Sequence, residues 1–94
     1  MSYSFNMQNT LNEDIIISLY YWNDGTHVKS AENINISAGG HQTITPPQDP
    51  VVQISVYKKN NSPLLDGKWM NFYATKRNMK VVQKNGVTSI EYTS

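Results

Sequence analysis

Two histidines, seven carboxylates and no cysteine limit the chemistry open to this 94-residue chain. His27 and His41 stand fourteen residues apart, without the H-x-H or H-E-x-x-H spacing that gathers zinc ligands. The absence of cysteine removes thiol nucleophiles, disulfides and Cys-based metal sites. No G-x-S-x-G elbow is present, and Gly39-Gly40 lacks the spacing and the following helix of a phosphate loop. Glu13 and Asp14 are adjacent, so on a strand they point to opposite faces and cannot work as a glycosidase pair. They read instead as charged gatekeepers before the apolar run 15–22. These residues predict no catalytic site, no metal site and no cofactor.

Aromatics beside amides offer more. Tyr20 and Trp22 fall on the strand face opposite Ile17 and Leu19, and Trp22 leads into Asn23-Asp24-Gly25. Aromatic rings stack on the C–H faces of sugars, while Asn and Asp bond the hydroxyls. Tyr20, Trp22, Asn23 and Asp24 are therefore the first candidate glycan site, with Trp69 and Tyr73 as a second. The segment Asn60-Asn61-Ser62-Pro63-Leu64-Leu65-Asp66-Gly67 reads as a loop with two leucines amid turn residues. Flanked by Lys58, Lys59 and Lys68, it is either an apolar tip for a membrane or partner surface, or a plug for the end of the core. The plug is favoured. Bases also interleave with aromatics at Tyr57-Lys58-Lys59 and in the segment 68–73, as in single-strand binders. The near-neutral charge and the missing RNP-type motif argue against nucleic acid.

Charge is unevenly spread. Residues 1–50 carry one Lys and five acids (−4), and residues 51–94 carry seven bases and two acids (+5), which gives the net +1. The even-handed reading is that the two halves interleave in one sheet and neutralise each other. Charged residues are 16% of the chain, against about 25% in ordinary domains. Eleven Asn, nine Ser, seven Thr and five Gln take their place, which points to polar surface rather than disorder. The run 15–22 is too short to span a membrane as a helix, and acids precede it where a secretory signal needs bases. The expected setting is cytoplasmic, or release by a non-classical route.

The elements that must position these residues are strands. Ile, Val and Thr number twenty-two and aromatics ten, against seven Ala and Leu together, a balance that suits pleated, half-buried surfaces. Tyr3, Phe5 and Met7 share one face of a first strand over 2–8, followed by a polar stretch 9–12. Ile15, Ile17, Leu19 and Tyr21 share a face of the second. Val52, Ile54 and Val56 form another buried face, and Pro46, Pro47 and Pro50 mark an edge or a crossing between sheets. Asn85-Gly86 predicts a type I′ hairpin that opposes Lys84 to Val87, Val81 to Ile90 and Lys80 to Glu91. A further strand is expected over 68–75. The sum is seven to nine short strands in a small single-domain, all-β sandwich of Greek-key or jelly-roll type, with an OB-like barrel as the alternative.

The composition also favours association of copies, since a net charge of +1 gives little mutual repulsion. The strand 2–8 is the segment expected to pair with a neighbour. The functional expectation is a non-enzymatic, lectin-like homo-oligomer that binds glycans. A structural subunit of a filament, crystal or shell, and a membrane- or toxin-related module, are the competing readings.

Overall fold

The structure, a computed structural model, describes residues 4–23, 26–45, 51–69 and 78–93, with the backbone alone at 21–23, 26–32, 51, 52 and 69. Among them are eight strands and no helix: β1 (Phe5–Asn9), β2 (Ile15–Asn23), β3 (Thr26–Ile36), β4 (His41–Ile44), β5 (Val51–Lys58), β6 (Pro63–Trp69), β7 (Asn78–Lys84) and β8 (Val87–Tyr92). They form two four-stranded sheets, in the orders β4-β1-β7-β8 and β3-β2-β5-β6. The chain crosses between sheets at β1–β2, β3–β4, β4–β5 and β6–β7, in the manner of Greek-key sandwiches. This is the expected sandwich. The barrel alternative is set aside, because each sheet keeps two edge strands of its own.

Period-two alternation builds the core. Phe5 and Met7 of β1, Ile15, Ile17 and Leu19 of β2, Ile54 and Val56 of β5, and Met79 and Val81 of β7 are all at most 2% exposed. Each such side chain contributes about 1.5–3 kcal/mol by leaving water. The C-terminal hairpin has the expected register throughout, from Lys84↔Val87 to Met79↔Tyr92. Asn85 and Gly86 both take positive φ (53° and 79°), as a type I′ turn requires. Lys80 stands opposite Glu91 in the ladder, but the ammonium at ion-pair distance from Glu91 is that of Lys84, at 3.3 Å. The segment with Pro46, Pro47 and Pro50 lies outside the described residues.

Three expectations need correction. The first strand is an interior one: β1 pairs antiparallel with β4 and parallel with β7, so both its edges are filled within the chain. Its edge is not where a neighbouring copy adds a strand. The strand also runs one residue further than the polar pattern suggested. Asn9, read as the start of a polar linker, is 0% exposed. Its Nδ2 donates to the carbonyls of Glu13 (2.8 Å), Ile36 (3.2 Å) and Ser37 (3.2 Å), and its Oδ1 accepts from the Leu11 N–H (2.9 Å). One buried amide thus fastens β1 to the start of β2 and the end of β3.

The third correction concerns 60–67. A tight turn after Lys58 leads straight into β6, which begins at Pro63 instead of near Lys68. Proline is tolerated there because it opens an edge strand. Leu64 and Leu65 therefore sit on a strand, half-buried and packed against the core, and not on an exposed apolar tip. Lys58 is half-buried at the end of β5, while Lys59 in the turn and Lys68 on β6 are exposed. The part of the expected strand 68–75 that follows Trp69 lies outside the described residues.

Candidate functional site

Since β2 buries Ile15, Ile17 and Leu19, it turns Ile16, Ser18 and Tyr20 outward. On β5, burial of Ile54 and Val56 turns Gln53, Ser55 and Tyr57 to the same outer face. The ladders align these residues in rows across the second sheet. Asn35, Ile16 and Tyr57 form one row, Asn33, Ser18 and Ser55 the next, and Lys29, Tyr20, Gln53 and Trp69 the third. Residues directly opposite in such a ladder are in mutual reach.

The middle row is made of small polar residues between the rows that carry Tyr57 and Tyr20. Ser18 and Ser55 are 1% and 0% exposed although both face away from the core. The Ser18 hydroxyl donates to Asn33 Oδ1 at 2.8 Å. Ser55 Oγ accepts from the Gly67 N–H at 2.8 Å and lies 3.4 Å from the Tyr20 hydroxyl and 3.5 Å from Asp66 Oδ1. Gly67 reaches Ser55 because the β5–β6 ladder is irregular there and Gly67 adopts φ +64°, a backbone state that favours glycine.

The hydrogen bond between Tyr20 and Tyr57 raises the Tyr57 pKa above its ordinary 10.0. Burial and the negative charge of Asp66 act in the same direction, and the Ser55 contact opposes them. Tyr57 is thus a neutral phenol at every physiological pH, with an aromatic face and a hydroxyl for hydrogen bonding.

Beside Tyr57 the outer face sinks into a depression of about 230 Å³ lined by Ile16, Ser18, Asn33, Tyr57 and Asn61. Asn61 comes from the β5–β6 turn, where it takes φ 70°. The turn is closed by Asn61 N–H to Lys58 O (2.8 Å), Lys58 N–H to Ser62 O (2.8 Å) and Ser62 N–H to Asn60 Oδ1 (3.1 Å). One ring, two amides and a hydroxyl therefore converge on a small space, held by ladders and a closed turn. Its volume is below the roughly 300–1,000 Å³ of sites that engulf drug-sized ligands, so it suits one small polar unit.

Ile16 also lines a second hollow of about 250 Å³ with Asp14, Asn35 and Lys59, and Asp14 and Lys59 also line a cleft of about 430 Å³ with Glu13 and Lys58. The acidic first half and the basic second half of the sequence meet here, in the interleaving expected of a mixed sandwich. Asp14 is tied down, accepting from the Ala38 N–H at 2.9 Å. Among the described residues no three His, Cys, Asp or Glu side chains gather as a metal site. None of these residues forms a helix long and apolar enough to cross a membrane.

The structure places part of the two expected glycan clusters together. Tyr20 lies on the outer face, half-buried, and Trp69 occupies the same rung of the sheet, joined through Gln53. Trp22 and Asn23 are at the end of β2, opposite His27 and Thr26. Asp24 and Tyr73 lie outside the described residues. Asn33, Asn61 and Tyr57 were not among the expected glycan residues. Tyr57 follows from the parity of β5, but Asn33 and Asn61 join only once β3 and the turn are paired beside β2 and β5.

No family model and no curated protein matches the chain. The chain is similar to a solved structure, the NMR structure of a protein from Eubacterium rectale, with a TM-score of 0.51 and 11% identity. The likeness covers 99% of this chain and 89% of that one, and it supports the sandwich fold.

Proposed function

We propose that this chain is a non-enzymatic, lectin-like module that binds a neutral glycan unit on the outer face of its second sheet and self-associates. The observation that carries the reading is the depression where the Tyr57 ring, the Asn33 and Asn61 amides and Ser18 converge. The ring offers a stacking face to sugar C–H groups, and the amides offer donors and acceptors to hydroxyls. So shallow a site binds one sugar weakly, with Kd of about 1 mM, or about 4 kcal/mol. Several copies presented together would add by avidity, and the net charge of +1 does little to keep copies apart.

A glycan array probed with the wild type, Asn61→Gly and Tyr57→Ala tests the reading. Glycine keeps the positive φ of the turn and removes only the amide. The proposal predicts signals on a subset of neutral glycans that both variants lose. Empty arrays, or signals indifferent to both substitutions, would overturn it. Light scattering tests self-association, with a discrete oligomer expected and a strict 10.7 kDa monomer contradicting it. Open-ended growth with an empty array would support the structural-subunit reading instead.

A further inference from the structure

The first sheet carries a polar face of its own on the other side of the sandwich. Its ladder sets Thr43 of β4, Asn6 of β1 and Asn78 of β7 in one row. Thr93 extends that row, since its N–H donates to the Asn78 carbonyl at 2.8 Å. A directed chain of hydrogen bonds runs along it: the Thr43 hydroxyl donates to Asn6 Oδ1 at 2.7 Å, and Asn6 Nδ2 donates to Asn78 Oδ1 at 2.8 Å. The next row along the strands holds His41, Gln8 and Lys80.

Such a chain fixes the orientation of every group in it. Each amide has two N–H hydrogens and two oxygen lone pairs, so Asn6 uses only half its capacity within the ladder. Strand spacing repeats these groups about every 4.8 Å, the scale of one sugar ring. Between the rows lies a depression of about 380 Å³ lined by the polar residues Asn6, Gln8, His41, Thr43, Asn78 and Thr93, together with Met79. It holds no carboxylate and no lysine. Pre-oriented amide and hydroxyl donors and acceptors match a neutral polyhydroxylated ligand better than an ion.

We infer that this face is a second site for a neutral sugar, which makes each chain bivalent. The site shares no residue with the Tyr57 depression and is tested independently of it, while the bivalence rests also on the proposed function. Because the two sites lie on opposite sheets, one chain bridges two ligands rather than gripping a short one twice. Bridging turns even a monomer into a cross-linker of polysaccharide.

The test is a ¹H–¹⁵N titration of the whole chain with maltohexaose, cellohexaose, chitohexaose and xylohexaose. The inference predicts that at least one shifts the Asn6, Gln8, Thr43 and Asn78 amide signals saturably. Thr43→Val should weaken that response about five- to tenfold, as expected for one neutral hydrogen bond, while Asn61→Gly leaves it unchanged. Asn6→Ser serves as a second variant if Thr43→Val fails to fold. Shifts confined to Ser18, Asn33, Tyr57 and Asn61 would overturn the second site and leave the first intact. A response indifferent to Thr43→Val and Asn6→Ser, or no response at Asn6 and Thr43 to any of the four sugars, would overturn it as well.

Discussion

The Ser18 hydroxyl donates to the Asn33 side-chain oxygen at 2.8 Å, across the β2–β3 ladder and on the face turned away from the core. That bond decides which way the Asn33 amide lies, because its oxygen is committed to Ser18 and its Nδ2 is presented away from it. An outward serine that is 1% exposed is thereby both a floor and a positioning group for the depression beside Tyr57.

Ser18→Ala should keep the fold and release the Asn33 amide. The expected stability loss is about 1 kcal/mol, the net worth of a typical hydrogen bond. Sugar affinity should fall about five- to tenfold through the loosened amide. Thermal unfolding and calorimetric titration of the variant check both, and an unchanged affinity would remove Asn33 from the site.

Asn9 is the residue whose loss should damage the fold most per atom removed. Asn9→Ala leaves the carbonyls of Glu13, Ile36 and Ser37 and the Leu11 N–H without their shared partner. A loss of about 3 kcal/mol is expected, which lowers the Tm by roughly 10–20 °C in a domain of this size. Asn9→Asp should be worse, since it buries a carboxylate against three carbonyl oxygens. Urea unfolding measures both, and a loss under about 1 kcal/mol would contradict the clasp.

Period-two patterning made much of this fold legible. Ile15, Ile17 and Leu19, Ile54 and Val56, and the Asn85-Gly86 hairpin with its register all follow from alternation and turn chemistry. Asn9 did not, because a buried amide looks like a linker residue until the three carbonyls it serves are brought around it. β6 was misplaced for a related reason. Asn60, Asn61, Pro63 and Gly67 are turn formers by local preference, yet pairing with β5 holds 63–69 extended and uses Gly67 as an irregularity in the ladder. Of the site, Tyr20 and the outward parity of Ser18 could be read from one strand. Its partners Asn33 and Asn61 arrive from other strands and need the topology.

Tyr57 makes stability depend on alkaline pH. Its raised pKa means that the folded chain keeps a proton that the unfolded chain releases near pH 10. The associated stabilisation is complete below that pH and is lost as pH rises through the folded-state value. Above about pH 10 the wild type should therefore lose stability more steeply than Tyr57→Phe, as read from urea midpoints. Parallel pH profiles would contradict the Tyr20–Tyr57 hydrogen bond as the cause.

Gly67→Ala tests the irregularity in β6. A Cβ there would meet Gln53 Oε1 at 3.6 Å, an ordinary contact, so space is not the obstacle. The positive φ is, and the strain should lower stability by about 1–2 kcal/mol. It should also disturb the Gly67 N–H to Ser55 bond, visible as a shift of the Ser55 amide signal. A neutral substitution would show that the conformation is not required.

The most direct test of the glycan reading is calorimetric titration of the best neutral sugar from the array into the wild type and Asn61→Gly, with the Tm of each recorded. The account predicts a wild-type Kd of about 1 mM, at least a fivefold weaker variant and Tm values that agree within about 2 °C. Equal affinities in the two proteins at matching Tm would contradict it.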